Sequence, residues 1–214
     1  MKKIICDFFD EKIDTESEPY KNKCSPSDTY KNKNDIRENI LRLFYDKHLF
    51  RKSLLCQLDE TQGKSVFVIL MNPSYADESG LDGTISNVYK FLKDKINPKK
   101  RNNEKYSQFE ILNIFPIRMA QSSCLPCLLE RYDKDRTFCK ENTEYIEERL
   151  NTEPEWDVIV AWGKDYHLYK EAQNICELLE NRKNIYAYNL NGKNKYHTPS
   201  HFSSQVYNNI NEKS

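Results

Sequence analysis

The sequence predicts an α/β fold, a three-layer sandwich around a central, mostly parallel four-stranded sheet. Strand-like and helical patterns alternate through the second half of the chain, which favours parallel strands connected by helices. The run Val66–Leu70 is apolar at every position, as expected for a strand that is covered on both faces. The length of 214 residues, of which 38% are hydrophobic, suits a single domain spanning residues 1–214.

Four apolar runs form the predicted core strands, and helical periodicity fills the segments between them. The strands are Val66–Leu70, Phe109–Phe115, Trp156–Trp162 and Ile185–Leu190. The helices are expected at about 84–98, 125–132, 138–150 and 166–181. Thr84 is a suitable N-cap for the first helix, and Pro98 ends it because proline cannot continue the hydrogen-bond ladder.

The segment ahead of this alternation predicts an extension made of a strand, a helix and a β-hairpin. Residues 2–9 are strand-like, whereas residues 10–34 are polar and predict a long loop or a partly disordered excursion. Asp35–Lys47 has its apolar residues at helical spacing. Phe50–Asp59 and Lys64–Met71 are two β-like runs joined by a glycine-containing loop, a pattern typical of a hairpin.

Composition excludes several classes of protein. The 33 basic and 33 acidic side chains cancel, so neither a uniformly basic nucleic-acid binder nor an acidic tail protein is expected. The longest apolar run, Val66–Met71, is far too short to span a membrane, and the first residues do not resemble a secretory signal. We therefore expect a soluble cytoplasmic protein with no membrane partner.

The seven cysteines predict reduced thiols, because their number is odd and their spacing shows no disulfide framework. Cys124 and Cys127 form the one suggestive pair, but no second pair of ligands follows at similar spacing. Packing on a helix face, metal or cluster binding, and redox chemistry remain open for this pair. Packing is favoured, and neither a metal nor a cofactor is expected.

The overall neutrality is a sum of regions with opposite charge. Residues 90–105 carry seven basic side chains against two acidic ones, and residues 182–197 are also basic. Residues 141–157 hold seven acidic side chains against one arginine. The basic residues expected to contact DNA are Lys99, Lys100, Arg101, Lys193 and Lys195. This distribution predicts a bipolar surface with its basic side near the functional cleft, or else simply solvated charged faces.

A loop rich in polar residues follows each of the four predicted strands. Since ligands of parallel α/β sheets bind outside the carboxyl ends of the strands, these residues are candidates for one common site. They are Asn72, Pro73, Ser74, Tyr75, Asp77 and Asp82 after the first strand, Asn113 and Arg118 at and after the second, Gly163 and Lys164 after the third, and His197, Ser200 and His201 after the fourth.

Each candidate also has a structural interpretation. Asp82 is well placed to cap the helix that begins near Thr84. Asn113 lies in an apolar strand, where a buried amide needs hydrogen-bond partners. Arg118 is either a surface residue or a phosphate contact, and His197 and His201 are either surface histidines or site residues. Their occurrence at four successive strand ends favours an active site.

Several of these stretches resemble a family of small bacterial and phage proteins known as domain of unknown function family 1643. The resemblance covers roughly residues 45–202, which we take as the core, and by itself it implies no activity. The matching stretches are Leu49–Leu54, Leu70–Asp77, Asp82–Ile85, Asn113–Arg118 and Ala161–Gly163.

The order of motifs also resembles, more distantly, the uracil-DNA glycosylase superfamily. Met71–Ser74 is similar to the motif after its first core strand, and Asn113 is similar to an asparagine that reads the base in some members. Trp162–Lys164 is similar to a Leu-Gly-Lys-like turn. Thr198–Ser203 is similar to the last motif, with Thr198 in place of His or Asn. The resemblance implies a base-flipping glycosylase. Members with an iron–sulfur cluster use an early Cys-x-x-Cys, which this sequence lacks, so no cluster is expected.

A glycosylase must extrude the nucleotide, position a water molecule and stabilise the departing base. Under this hypothesis Asn72 positions the water, Asn113 reads the Watson–Crick edge of the base, and Arg118 holds a phosphate. The other assignments are Asp82 or Asp77 as a carboxylate, Tyr75 or Phe115 as a stacking platform, His197 or His201 as donor to the leaving group, and Pro73, Ser74 and Ser200 as further substrate-binding residues.

The expected substrate is a modified base in single- or double-stranded DNA. Phage DNA is one source of such bases, which would make this a defence protein. Two alternatives remain from the sequence: a non-catalytic nucleic-acid or nucleotide-binding module on the same fold, and an N-glycosidase that acts on free nucleosides or nucleotides.

Overall fold

A computed structural model describes residues 3–9, 50–58, 62–74, 76, 80–119, 125–163, 169–189 and 209–212. They form an α/β fold with seven strands and four α-helices in this part of the chain. The strands are β1 (Ile4–Phe8), β2 (Arg51–Gln57), β3 (Lys64–Leu70), β4 (Tyr106–Asn113), β5 (Asp157–Val160), β6 (Ile185–Asn189) and β7 (Asn209–Glu212). The helices are α1 (Gly83–Lys90), α2 (Leu125–Tyr132), α3 (Thr137–Thr152) and α4 (Lys170–Leu179).

All seven strands belong to one mixed sheet in the order β1-β2-β4-β3-β5-β6-β7. The four predicted core strands are its centre: β4, β3, β5 and β6 are mutually parallel. β1 and β2 join one side and β7 the other in antiparallel pairings. The predicted α/β class is confirmed, but the expected four-stranded sheet is too small. The sequence of β7, Asn-Ile-Asn-Glu, has too few apolar residues for a strand to be predicted there.

The predicted hairpin between Phe50–Asp59 and Lys64–Met71 is wrong. β2 and β3 pair with opposite edges of β4, which therefore lies between them. β3 is buried on both faces, so it takes the centre of the sheet rather than the position of a hairpin arm. Gly63 is explained by a close backbone approach, because a side chain there would overlap the carbonyl oxygen of Lys105.

Helices cover both faces of the sheet, and each face has its own apolar core. On one face, Val66 and Val68 of β3 pack with α1 and with the π-helical turn Phe91–Ile96 that continues it. On the other face, Phe67 and Ile69 pack with α2, α3 and α4. The two cores follow from the alternation of side chains along a strand. Within the described residues, no helix is both long and apolar enough to cross a membrane.

The helices lie close to their predicted positions, with one correction at the start of α1. The side-chain Oδ1 of Asp82 accepts a hydrogen bond from the backbone N–H of Ile85 at 3.0 Å, so Asp82 is the N-cap. The predicted cap, Thr84, already lies inside the helix. Pro98 falls in the 3-10 turn that follows the π-helical turn. The predicted segments 10–34 and Asp35–Lys47 lie outside the described residues.

Candidate functional site

Two loops run side by side at the carboxyl end of the central strands. We call Met71–Ser74 with Ala76 the first loop, which follows β3, and Ile114–Met119 the second loop, which follows β4. Three backbone hydrogen bonds extend the pairing of β3 and β4 into these loops. They join Ile114 N–H to Leu70 O (2.9 Å), Phe115 N–H to Met71 O (2.9 Å) and Met119 N–H to Pro73 O (2.7 Å).

Asn72 is half-buried in the first loop, and its amide orientation is set by main-chain carbonyls. Its Nδ2 donates to the carbonyl oxygen of Met119 at 2.7 Å and to that of Pro73 at 3.2 Å. Both acceptors require a donor, so they select the amide nitrogen and direct Oδ1 elsewhere. Among the described residues no group donates to this Oδ1. Asn72 can therefore accept a hydrogen bond from a water molecule or a ligand.

Asn113 ends β4 opposite Leu70 and is 0% exposed. Neither Nδ2 nor Oδ1 of its side chain has a hydrogen-bond partner among the described residues. Leaving a buried polar group unpaired costs about 1–3 kcal/mol. The sequence predicted that this amide needs partners, and the described structure supplies none. This is the observation that most directly points to a ligand.

Asn142 is a site residue that the sequence analysis missed. It is buried on α3, and its Nδ2 donates to the carbonyl oxygens of Asn113 at 2.8 Å and Ile114 at 3.1 Å. The side chain therefore holds the backbone at the point where β4 becomes the second loop. The sequence does indicate that Asn142 is buried, because it lies on the apolar face of the helix between Cys139 and Ile146.

Asp82 has a structural role that involves both carboxylate oxygens. Besides capping α1 through Oδ1, it accepts a hydrogen bond from the backbone N–H of Ala76 on Oδ2 at 3.2 Å. It thus ties the first loop to the start of the helix. The capping interpretation of Asp82 is confirmed, whereas a catalytic carboxylate would have to give up these backbone partners.

Arg118 lies inside the protein instead of on its surface. It is 1% exposed, its Nε donates to the carbonyl oxygen of Ser74 at 3.5 Å, and its guanidinium lies 5.7 Å from the ring centre of Phe8. The sequence left two alternatives for Arg118, a surface residue or a phosphate contact, and the surface position is wrong. In this structure a DNA phosphate has no access to Arg118, because the side chain is buried.

Arg51, for which the sequence indicated no role, has a similar position. It is 0% exposed, and its Nη1 donates to the carbonyl oxygen of Ala76 at 2.5 Å. Its own backbone N–H donates to the carbonyl oxygen of Pro116 at 2.9 Å. Arg51 therefore connects β2 to both loops.

Phe115 belongs to the apolar core. Its ring is fully buried and meets Tyr169 edge-on, with 4.9 Å between ring centres. In this arrangement the ring is not open to stack on a base, as the sequence analysis proposed. Pro73 is buried and Ser74 half-buried. The Oγ of Ser74 is buried without a partner among the described residues.

The end of β5 adds a turn that requires glycine. The backbone N–H of Ala161 donates to the carbonyl oxygen of Ile69 at 2.8 Å, and Gly163 follows with φ = 92°, a value that favours glycine. The remaining candidates lie outside the described residues, as does the loop after β6. They are Tyr75, Asp77, Lys164, Lys193, Lys195, His197, Ser200 and His201.

The basic residues of the 90–105 stretch lie at the opposite end of the sheet. Lys100 Nζ is 3.8 Å from Asp157 Oδ2 and 4.2 Å from the ring centre of Tyr106, and these partners begin β5 and β4. Lys99 and Arg101 are exposed beside it. The expectation that this stretch lies near the cleft is wrong, because α1 and the turns after it must carry the chain back to the amino end of the sheet before β4 can run parallel to β3.

Asn97, Lys100, Tyr106 and Asp157 lie together where β4 and β5 begin, and we call this cluster the amino edge. Burial governs its electrostatics. Desolvation lowers the pKa of Lys100, against the opposing effect of Asp157. Burial, and then the negative charge of Asp157, raise the pKa of the Tyr106 hydroxyl. Tyr106 is therefore neutral at physiological pH and donates to the carboxylate of Asp157 at 2.5 Å.

Two of the four described cysteines, Cys139 and Cys176, are poor nucleophiles. Burial raises the pKa of the Cys176 thiol to about 11, and burial with the nearby Asp133 raises that of Cys139. Both thiols are therefore protonated at neutral pH. Cys124 and the side chain of Cys127 are outside the described part. Within that part, no three His, Cys, Asp or Glu side chains come together as potential metal ligands.

The fold and the paired loops define an α/β protein whose polar residues gather where its parallel strands end, the usual place for a ligand in such folds. Residues 49–201 match the family described as "Protein of unknown function (DUF1643)", and this is more than half of the chain. The chain therefore belongs to this family. A search of curated proteins and a search of solved structures each found no significant match.

Proposed function

We propose that this protein is a DNA glycosylase-like hydrolase that cleaves the N-glycosidic bond of a flipped-out, modified base. The observation that carries the proposal is the buried, unpartnered amide of Asn113. An amide offers a donor and an acceptor side by side, which match the adjacent C=O and N–H groups of a pyrimidine. A base that forms both hydrogen bonds would offset the cost of burying this amide.

The arrangement of the sheet supports the proposal. β4, β3, β5 and β6 are parallel and have helices on both faces, as the resemblance to the uracil-DNA glycosylase superfamily implies. Asn72 follows β3 and Asn113 ends the neighbouring β4, so a base held by Asn113 lies close to a water held by Asn72. An extruded base reaches Asn113 only when the loops around it open, because this side chain is 0% exposed in the structure.

In the proposed reaction the oxygen of a water molecule forms a bond to C1′ of the sugar. The C1′–N bond breaks and its electron pair leaves with the base, which takes up a proton in place of the one that water releases. Asn72 Oδ1 orients the water; an amide is not a base and removes no proton. His197 and His201 are the proposed donors to the departing base, and Ser200 and Tyr75 its further contacts.

The test is mass spectrometry of bases released from phage and bacterial genomic DNAs. We expect the wild type to release a base and Asn72→Ala to release it about 10²–10³-fold more slowly, the usual cost of losing one group that acts on the transition state. Asn103→Ala is the matched control, because Asn103 is exposed in a turn at the other end of the sheet. No release from any DNA by the wild type would overturn the proposal and leave the two alternatives, a non-catalytic binding module or an N-glycosidase for free nucleosides or nucleotides.

A second candidate, an N-glycosidase for free nucleosides or nucleotides, is favoured by the position of the charges. Lys99, Lys100 and Arg101 lie at the amino end of the sheet, away from the two loops, and Arg118 of the second loop is buried. None of these four side chains is therefore placed to contact DNA at the loops. Salt separates the two candidates. Affinity for DNA falls steeply with salt because counterions are released, whereas affinity for a nucleoside does not.

A further inference from the structure

Two buried arginines reach the first loop from two different elements. Arg51 extends from β2 to the carbonyl oxygen of Ala76 at 2.5 Å, and Arg118 extends from the second loop to the carbonyl oxygen of Ser74 at 3.5 Å. Both side chains are at most 1% exposed. The acceptors are main-chain atoms only two residues apart, so the two guanidinium groups serve the same short segment.

The first loop leaves β3 and passes through Pro73. Proline has no backbone N–H to donate, although its carbonyl oxygen still accepts a hydrogen bond from Met119. The carbonyl oxygens of Ser74 and Ala76 come after it, outside the strand, and each accepts a hydrogen bond from a guanidinium. A guanidinium suits this position, since it holds several N–H donors in one rigid plane.

We propose that Arg51 and Arg118 are positioning residues that hold the first loop, and with it the amide of Asn72, against the second loop. Arg51 acts on both loops, because its backbone N–H also binds the carbonyl oxygen of Pro116 at 2.9 Å. Phe8 of β1 covers the guanidinium of Arg118. The inference rests on the proposed function only in taking Asn72 as the residue that orients water.

Amide hydrogen exchange tests this role independently of any activity. The reporters are the N–H of Met119, which donates to Pro73 of the first loop, and the N–H of Ala76, which ties the first loop to Asp82 at the start of α1. The N–H of Val158 in β5 serves as the reference for global stability. We expect Arg51→Lys to speed exchange at Met119 and Ala76 by about tenfold or more and to leave Val158 unchanged, as in a local opening. Arg118→Lys should have the same effect, strongest at Met119.

Arg101→Lys is the matched control, because Arg101 is an exposed arginine outside the loops, and it should change none of the three rates. The inference is overturned if Arg51→Lys leaves the loop amides unchanged. It is also overturned if Met119, Ala76 and Val158 all accelerate equally, since that pattern shows an arginine that supports only global stability.

Base release by the same variants separates the two proposals. If the wild type releases a base, Arg51→Lys should lower kcat by about tenfold or more at unchanged KM, because a displaced water-orienting group slows the chemical step. If the wild type releases none, the glycosylase proposal fails, and the exchange pattern still decides whether the arginines hold the loop.

Discussion

The two ends of the central sheet both bury polar side chains, but they treat them differently. At the amino edge, Tyr106 donates its hydroxyl to Asp157, while Asn97 exchanges two hydrogen bonds with the Tyr106 backbone at 2.8 and 2.9 Å. No side-chain nitrogen or oxygen of these residues is left buried without a partner. This is how polar groups that serve stability are usually found.

We call the end of β4 and the two loops beside it, with Asn142, the carboxyl edge. There, buried polar atoms have no hydrogen-bond partner among the described residues. They are both side-chain polar atoms of Asn113, Oδ1 of Asn142 and Oγ of Ser74. An unpaired buried group lowers stability, so its presence beside two well-anchored loops is better explained by a ligand than by folding. The comparison teaches that the same residue types have hydrogen-bond partners at one end of the sheet and lack them, among the described residues, at the other.

The largest effect should come from Asn97→Ala at the amino edge. The substitution leaves the N–H and C=O of Tyr106 unpaired in the core, and each buried group left without a partner costs about 1–3 kcal/mol. Urea unfolding measures the change in free energy. Asn103→Ala is the control, since Asn103 is exposed, and should stay within about 0.5 kcal/mol of the wild type. Equal stabilities of the two variants would contradict a stabilising role for this edge.

Tyr106→Phe should have a somewhat smaller effect of about 1–3 kcal/mol, because the buried carboxylate of Asp157 loses a donor. It should also change the response to pH. The pKa of Tyr106 is raised in the folded state, so its stabilisation is complete below the ordinary tyrosine pKa of about 10 and is lost as the pH rises further. Between pH 10 and 11 the wild type should lose stability more steeply than the variant; parallel curves would refute this.

Asn113→Leu should change stability by less than about 1 kcal/mol, and in the stabilising direction if the site accepts the new shape, because it removes an amide that has no partner. The same variant should lose base release. Urea unfolding and mass spectrometry of released bases measure the two effects. A loss of stability as large as that of Asn97→Ala would show that the two edges do not differ.

The smallest effect is expected for Lys99→Gln combined with Arg101→Gln. Both side chains are exposed at the amino end, so stability should stay within about 0.5 kcal/mol of the wild type. Base release should also be unchanged at physiological salt, where charges farther away than about 8 Å are largely screened. A strong drop in release would show that this stretch contacts DNA after all, as its sequence predicted.

Periodicity and composition alone were enough to find the secondary structure of the core. The apolar run Val66–Leu70 predicted a doubly covered strand, and the alternation that follows it predicted parallel strands with helices between them. The motifs around Asn72 and Asn113 also marked the family and the end of the sheet at which the candidate site lies. These are local properties, because a side chain pattern repeats within one element.

Only the tertiary structure decided which residues meet. β2 and β3 are neighbours in sequence and were expected to pair, yet β4 lies between them. Arg51 meets Ala76 from 25 positions away, and Asn142 meets Asn113 from 29 positions away. The charge of an arginine predicts a surface or a phosphate, but its environment depends on which loop lies over it. The packing of elements that are distant in sequence determines which groups form hydrogen bonds, and a local sequence pattern contains no information about that packing.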